Sequence, residues 1–327
     1  MRRKLLFFLG LIGLGAAAYL LLPGDFDSAL FWASFRETRP WWIAGAVATT
    51  FLGYALRAIR WHVLLRPLKP VPYLPLMNAT VIGFGAIYTL GRPGELVRPV
   101  WIGRQEGIPL MGAVASIIVE RVFDLMMLLL LFVAGSMWVE LPEETRRALG
   151  GLGTPWQLVG LVAAALAGFV LLHKYSGSLA RFMPFHRLRT LMETFAQGLA
   201  GTSSPRSVTV LGLYSLLLWS VHALQFWLML GGLNLPHPFA GTLLTLVLTS
   251  LGSIAQIPGI GGGFQAGFIV SSTAVLGAPA EVSVAASLTL WFISTVPTIL
   301  AAAGYMMWKG ISARDLRVEE TELHLTP

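Results

Sequence analysis

The sequence predicts an all-α fold: a polytopic transmembrane helical bundle of two inverted repeats, each with a Pro/Gly-broken or re-entrant helix pair. Of the 327 residues, 55% are hydrophobic and 12% charged, whereas soluble domains are roughly 25% charged. Apolar runs of about 20 residues, enough to cross a hydrocarbon core of about 30 Å, recur along the chain. Pro/Gly breaks at corresponding places in two halves predict the repeats. Residues 1–327 are interpreted as a single membrane domain.

Composition also excludes several classes of protein. The chain has no cysteine, which excludes disulfides, thiolate metal sites and cysteine nucleophiles. Its formal net charge is +7, but the basic residues lie between apolar runs, as in cytoplasmic loops that face anionic lipid. HExxH, Walker A and GxSxG motifs are absent, which disfavours metalloproteases, nucleotide-driven pumps and serine hydrolases. We expect no metal, no cofactor and no nucleic-acid partner.

The first elements are full-length helices. An apolar run over Leu5–Leu22 follows a basic N-terminus and predicts an uncleaved first helix. Trp41–Leu65 begins with an interfacial tryptophan pair and predicts the next span. Near its far end we interpret Arg57 and Arg60, with Trp61, as an interfacial anchor.

The next segment is interrupted. Several prolines precede the apolar stretch Leu76–Leu90, which breaks at Gly91–Glu95 and resumes only as far as Ile102. Neither half is predicted to reach a full span, so the pair is a re-entrant hairpin or a broken helix. Lipid tolerates such open backbone only where protein or a water-filled cavity covers it. A cavity is therefore predicted here.

Leu110–Val139 predicts a long helix that carries Glu120, Arg121 and Asp124. A charge at the centre of a span costs roughly 2.5–3.5 kcal/mol on insertion scales. These three side chains must therefore pair or face a cavity, and Arg121 and Asp124 are spaced to pair on one face. A purely structural ion-pair network is the alternative to a binding site.

The rest of the chain repeats this plan. After a predicted span and a basic connection, a full span, an interrupted pair and another full span follow in the order seen in the first half, residues 41–139. The intervening span is predicted over Trp156–Leu172 and the cytoplasmic or interfacial connection over His173–Arg206. The second repeat is predicted as a full span over Val208–Leu230, an interrupted pair over Phe239–Ile257 and Phe264–Leu276, and a full span over Val282–Trp308. A cytoplasmic tail is predicted over 309–327.

The distribution of basic residues predicts orientation. Most of them flank one side of the predicted spans, and four arginines, at 36, 39, 146 and 147, fall on the other. The positive-inside rule then puts both termini in the cytoplasm and the protein in the inner cell membrane. The two interrupted pairs enter from opposite sides, so the halves are inverted, which indicates a transport site near the midplane.

Charged and flexible residues at the breaks are the candidate site. Arginine donates two parallel hydrogen bonds to phosphate, and the resumed helix after the first break offers free N–H groups. Glu95 is placed to orient Arg98 or Arg121. Snorkelling of Arg92 and Arg98 to an interface is the alternative. The candidate substrate-binding residues are Arg92, Glu95, Arg98, Glu120, Arg121, Asp124, Pro258, Gly259, Gly261 and Gln265.

The second break is rich in glycine. Pro258–Gly263 lets backbone approach a ligand closely, and close helix packing is the alternative. Gln256 and Gln265 bracket the run as neutral polar partners for a headgroup. Elsewhere, His222 and Gln225 are three apart in a span and predict interhelical hydrogen bonds rather than a proton relay.

Three motifs in this order carry a family resemblance: Arg92-Pro93-Gly94-Glu95 with Arg98, Glu120-Arg121 with Asp124, and Ile257-Pro258-Gly259 with its glycine run. Together they resemble the lysylphosphatidylglycerol synthase transmembrane, or flippase-like, family, and the resemblance covers Trp41 to Trp308. Where family members often have a glutamate after the second break, this chain has Gln265. That departure puts a charge-dependent role there in doubt.

The resemblance implies a multi-helix membrane domain that translocates aminoacylated phosphatidylglycerol in bifunctional members, and lipid or polyprenyl-linked transport in stand-alone ones. It does not imply synthase activity, because aminoacyl transfer belongs to a separate soluble domain for which this chain has no room. The protein is therefore expected not to be an enzyme. The predicted partner is an anionic phospholipid or a polyprenyl-phosphate-linked lipid, and a homo-oligomer or a biosynthetic partner protein stays open.

We therefore expect a lipid translocase in which Arg92, Arg98 and Arg121 contact phosphate while the three carboxylates orient them. One rival hypothesis is an embedded enzyme acting on a lipid headgroup, with Glu120 or Asp124 as general base. A scaffold subunit of a lipid-biosynthesis complex is the other rival.

Overall fold

The computed structural model describes residues 27–139, 186–202, 204–257 and 261–312, with isolated helical positions between 160 and 175. The predicted first helix, most of the predicted span over 156–172 and the tail beyond residue 312 lie outside the described residues. Within them, ten α-helices are labelled in chain order. They are α1 (Ser28–Arg36), α2 (Pro40–Leu65), α3 (Tyr73–Leu90), α4 (Val97–Glu106), α5 (Leu110–Ser136), α6 (His186–Leu199), α7 (Pro205–Gly232), α8 (Phe239–Gly252), α9 (Gly263–Leu276) and α10 (Ala280–Lys309).

The predicted all-α membrane bundle is confirmed. In the described part of the chain, four helices are long and apolar enough to cross a membrane, namely α2, α3, α7 and α10. Helix α5 is as long, at 27 residues, but carries three charges in its middle. Large apolar side chains point outward from the bundle; Leu213 on α7 and Leu300 on α10 are 62% and 67% exposed. Lipid is the solvent that suits such a surface.

The first interrupted pair is a helical hairpin. A five-residue 3₁₀ turn, Arg92–Leu96, joins α3 to α4, and α4 folds back along α3 so that Gly94 meets Ala86 and Arg98 meets Gly83. The prediction that neither half reaches a full span is wrong for α3, whose 18 residues are long and apolar enough to cross a membrane. Pro75 did not delay the helix, because proline is tolerated in a first turn, where its missing N–H has no partner anyway.

The second interrupted pair is a shorter hairpin. Helices α8 and α9 have 14 residues each, about 21 Å, which is less than a hydrocarbon core. A 3₁₀ turn, Ser253–Ala255, and a two-residue antiparallel pairing of Gln256–Ile257 with Gly261–Gly262 form its tip. Helix α8 ends five residues before the predicted limit at Ile257, because the chain leaves the helix to form this tip.

The two halves have matching contacts. Helices α2 and α7 pack antiparallel. Arg60 comes after Thr50 on α2, but its partner Ser215 comes before Gln225, the partner of Thr50, on α7. Each half contributes one hairpin, and the main helix contacts of one half have counterparts in the other. Contact of α3 with α10 corresponds to α8 with α5, α2 with α3 to α7 with α8, and α4 with α5 to α9 with α10. Antiparallel equivalents are what inverted repeats require.

The predicted basic connection over His173–Arg206 contains α6. This helix packs on α5, where Gly198 lies against Gly112 and Ala115. Its Phe195 and Leu199 join a core cluster around Trp61 that also includes the inner faces of α2, α3, α4 and α5. Helix α6 thus covers one end of the first half.

Candidate functional site

Five charged side chains meet inside the first half and form what we call the buried charge cluster: Arg57, Arg60, Arg98, Glu120 and Asp124. Their side chains come from α2, α4 and α5, and none is more than 7% exposed. Because charges buried this deeply must be paired, the geometry of the pairs determines whether the cluster is stable.

Asp124 is the most heavily bonded member of the cluster. Its Oδ1 accepts from Arg60 Nη1 at 2.8 Å and from Trp219 Nε1 at 3.2 Å. Its Oδ2 lies 3.5 Å from Nη1 of both Arg57 and Arg121. The predicted Arg121–Asp124 pair is therefore confirmed, and Asp124 also joins α5 to α2 and α7.

Glu120 holds the second part of the cluster. Arg98 donates to it with both terminal nitrogens, at 3.0 and 3.4 Å, and Arg60 Nη2 lies 3.8 Å away. The Arg98 guanidinium stacks 4.4 Å above the ring of Trp61, and that indole donates to Ser116 at 2.8 Å. A two-pronged ion pair with an aromatic support fixes α4 against α5 and α2.

The buried charge cluster carries a surplus of positive charge. It contains three guanidinium groups and two carboxylates. In the described part of the chain, Nε and Nη2 of Arg60 and Nε of Arg98 have no hydrogen-bond partner. A low-dielectric surrounding strengthens the field of an uncompensated charge, so this region attracts anions.

A cavity of about 380 Å³ lies beside the cluster, between the two halves. Helices α2, α3 and α5 of the first half and α7, α8, α9 and α10 of the second contribute to its wall. The charged residues that line it are Arg57, Arg92, Glu95, Arg121 and Asp124, again three positive and two negative. The predicted cavity at the interrupted pairs is thus present, with a wall that favours an anion.

The tips of the two hairpins touch through Arg92. Its Nη1 pairs with Glu95 Oε1 at 2.6 Å. Across the cavity, Nη2 donates to the Ser253 carbonyl at 3.0 Å and Nε to the Ile254 carbonyl at 3.4 Å. The first break is therefore bonded directly to the 3₁₀ turn at the tip of the second hairpin.

One side of the cavity is apolar. Leu125, Leu251 and Ile254 line it and are also 40%, 42% and 64% exposed at the surface. Its mouth therefore opens among side chains that suit acyl chains better than water. A charged interior next to such a mouth fits an amphiphile whose headgroup lies inside.

The predicted site residues fall into three groups. Arg92, Glu95, Arg121 and Asp124 line the cavity. Arg98 and Glu120 lie behind it in the buried charge cluster and do not line it. The remaining four lie in or next to the second break. Gly261 is in the short β pairing, and Gln265 is absent from the cavity wall although its neighbour Phe264 lines it. Pro258 and Gly259 lie outside the described residues.

Two expectations about partners are wrong. Glu95 was expected to orient Arg98 or Arg121, but it pairs with Arg92, because the 3₁₀ turn puts residues three apart side by side. Arg57 and Arg60 were interpreted as an interfacial anchor, but they are 7% and 1% exposed and bond Asp124. Their spacing, three apart on one helical face, was the available signal, because it matches two carboxylates one turn apart on another helix.

The prediction for His222 and Gln225 is confirmed. Both side chains bond α2: Arg57 Nη2 donates to His222 Nε2 at 3.2 Å, and Gln225 Nε2 donates to Thr50 Oγ1 at 2.6 Å and to the Ala46 carbonyl at 3.2 Å. Both residues also line the cavity, so the contact between the halves forms part of its wall.

Comparison with known proteins identifies a family. The sequence matches the family described as lysylphosphatidylglycerol synthase TM region over residues 7–302. Neither the comparison with curated proteins nor the comparison with solved structures found a match. Since the match covers most of the chain and the described helices form a multi-pass membrane bundle, the protein belongs to the lysylphosphatidylglycerol synthase TM region family.

Proposed function

We propose that the protein translocates a lipid with an anionic headgroup across the membrane, with the headgroup entering the cavity between the two hairpins. The observation that carries the proposal is the cavity wall, which has three arginines against two carboxylates and a mouth of exposed apolar side chains. Phosphate is the anion that suits arginine best. A phospholipid or polyprenyl-phosphate-linked lipid combines such a headgroup with hydrocarbon.

The bonding of the carboxylates favours transport over catalysis. A general base must present a carboxylate oxygen to the substrate. Glu120 is buried behind the cavity and held by Arg98, Asp124 is bonded by Arg60 and Trp219, and Glu95 pairs with Arg92. Each carboxylate thus orients a guanidinium, which is the task of a binding site.

Arg121 is the cavity arginine best placed to contact a headgroup first. Its side chain is 42% exposed, and its ion pair with Asp124 is long, at 3.5 Å. Arg57, by contrast, is buried and shared between Asp124 and His222. We propose that Arg121 engages phosphate while Arg98 and Glu120 hold α4 and α5 in place behind it.

Replacing Arg121 tests this proposal. In proteoliposomes, Arg121→Ala is expected to slow translocation of an anionic phospholipid by about ten- to a hundred-fold, since a hydrogen bond to a charged group contributes roughly 1.5–3 kcal/mol. Zwitterionic phosphatidylcholine should move no faster with either protein than in empty vesicles. The matched control is Arg189→Ala, because Arg189 is also an exposed helical arginine in an ion pair, with Glu193 on α6. An unchanged rate for Arg121→Ala would contradict the assignment.

We also propose that the protein lies in the inner cell membrane with both termini in the cytoplasm. Because the chain has no cysteine, single replacements can be labelled without background. Arg39 and Arg66 are exposed residues at opposite ends of α2. A membrane-impermeant maleimide added outside should label Arg39→Cys in intact cells and label Arg66→Cys only after lysis. The reverse pattern would invert the orientation.

A further inference from the structure

The interface between α2 and α7 is symmetric with respect to the two halves. The two helices start 165 positions apart in the chain, and so lie the bonded residues Arg57 and His222. Because each of these residues is the equivalent of the other, their bond lies on the axis that relates the halves. The same spacing exchanges two further bonds, namely Arg60 with Ser215 and Gln225 with Thr50.

The bonds from this interface to α5 and α10 are symmetric as well. Trp219 on α7 donates to Asp124 on α5 at 3.2 Å. Tyr54, the equivalent position on α2, bonds Thr298 on α10 at 2.9 Å. Rocking of one inverted half against the other exchanges the conformations of the halves, and each of these bonds then takes the place of its counterpart. The interface is therefore able to persist in both conformations.

The contact between the hairpin tips is not symmetric. Arg92 in the first tip (Arg92–Leu96) donates to two carbonyls of the second tip (Ser253–Gly262). The second tip contains no arginine or lysine, so it has no cation with which to return such a bond to the end of α3. After an exchange of conformations, this contact has no counterpart. It therefore belongs to one of the two conformations.

The contact between the tips is also suited to breaking and re-forming. Each tip packs mainly on its own hairpin, so Arg92 supplies the link between them. Its side chain is 43% exposed. The carbonyls that accept from it follow the end of α8, where a helix leaves its last carbonyls unpaired and attracts a cation. A few hydrogen bonds from one accessible cation thus hold the tips together.

We infer that Arg92 is a latch, which joins the two tips in this conformation and lets them separate when an anion in the cavity takes its guanidinium group. This inference rests on the proposed function and adds the step that couples binding to movement. Arg92 lines the cavity, so an anion inside reaches the same N–H groups that the carbonyls use. Phosphate oxygens are charged and are stronger acceptors than a carbonyl oxygen, so phosphate displaces the second tip.

The separation of the tips is the quantity to measure. Because the chain has no cysteine, Leu90→Cys and Leu251→Cys place one spin label at the end of α3 and one near the end of α8, where both leucines are exposed. Pulsed electron paramagnetic resonance of the full-length protein in phosphatidylcholine nanodiscs then gives the distribution of distances between the labels. Phosphatidic acid, a phospholipid with nothing beyond its phosphate, is the anionic probe.

Three variants of the labelled protein are compared. Arg92→Gln removes the charge, and Arg92→Lys keeps it on a group that cannot span two carbonyls in the same way. Neither should prevent folding, because the Arg92–Glu95 pair is partly exposed. Arg189→Gln is the matched control, since Arg189 is also an exposed helical arginine in an ion pair, with Glu193 on α6.

We expect the unaltered protein and Arg189→Gln to have joined tips in phosphatidylcholine. Phosphatidic acid should raise their ratio of separated to joined tips about tenfold, the factor that a hydrogen bond to a charged group contributes. Arg92→Gln should have separated tips without phosphatidic acid and respond no further to it. Arg92→Lys should lie between Arg92→Gln and the unaltered protein, which a purely steric role of the side chain would not produce.

The possible failures are distinguishable. Joined tips in Arg92→Gln would overturn the latch. Separated tips in that variant, together with no response of the unaltered protein to phosphatidic acid, would overturn release by an anion. If the tips behave as expected but no lipid is translocated in proteoliposomes, the proposed transport fails and the latch stands. If lipid is translocated while the tips stay joined, the latch fails and transport stands.

A soluble anion could supply the same phosphate chemistry. Inorganic phosphate, added to the labelled protein in pure phosphatidylcholine, is the comparison. Because exposed apolar side chains line the mouth of the cavity, we expect phosphatidic acid to separate the tips at a concentration about a hundredfold lower than inorganic phosphate. Separation by both at equal concentration would overturn the coupling of the latch to a lipid.

Discussion

Asp124→Asn is expected to lower the free energy of unfolding by about 3–5 kcal/mol, the usual result of removing one partner of a buried ion pair. The replacement keeps the shape of the side chain and removes its charge. Arg57 and Arg60, which are 7% and 1% exposed, would then share a buried surplus of two positive charges instead of one. Thermal unfolding of the purified protein in detergent, followed by tryptophan fluorescence, measures the loss.

The control is Glu95→Gln, which neutralises a carboxylate whose pair with Arg92 is partly exposed, at 28% and 43%. Pairs of that kind contribute about 0–1 kcal/mol. The double variant Arg57→Gln/Asp124→Asn restores the original surplus charge and should recover part of the lost stability. If Asp124→Asn and Glu95→Gln lowered the free energy of unfolding equally, burial would not determine how much the buried charge cluster stabilises the protein.

Gly252→Ala is expected to disrupt the second hairpin. An added Cβ on α8 would overlap the carbonyl oxygen of Gly263 at the start of α9 and lie 3.0 Å from Gly267 Cα. These are backbone atoms, so no side-chain rotation relieves the contact and the helices must separate. We expect a loss of about 3 kcal/mol, at the upper end for overpacking, and reduced lipid translocation, because α8 and its tip form part of the cavity wall.

Gly212→Ala is the matched control. Gly212 is also a helical glycine, within α7, but an added Cβ there meets nothing within 4 Å. The melting temperature of the Gly212→Ala protein should match or slightly exceed that of the unaltered protein, since alanine is the better helix former. A similar drop for both variants would mean that close packing at the hairpin is not what Gly252 provides.

Contacts between site residues that are close in the sequence were predictable, and contacts between residues on distant helices were not. Arg121 and Asp124 are three apart on α5, and their pairing follows from helix geometry alone. Arg60 and Asp124 are 64 positions apart, and only the packing of α2 against α5 and α7 brings them together. Composition indicated that the charges must be paired, but it contained no information on which helix supplied each partner.

The predicted helix limits show the same contrast between what the local sequence determines and what tertiary packing determines. The broken pairs were found because proline and glycine act locally on the backbone. The length of α3 was underestimated, since the prolines before Leu76 were taken to precede the helix although the last of them, Pro75, lies in its first turn. In the second half, the departure of the chain from α8 after Gly252 depends on how the tip packs against α9, which hydrophobic periodicity does not encode.

The contact between the hairpin tips has a consequence for how variation in this protein is interpreted. Arg92 donates to main-chain carbonyls at Ser253 and Ile254, and every amino acid supplies the same carbonyl. Substitutions at residues 253 and 254 therefore leave the acceptors in place, and covariation between the two hairpin tips is expected to be weak despite direct bonding. A mutational scan would detect this contact from the side of Arg92 alone.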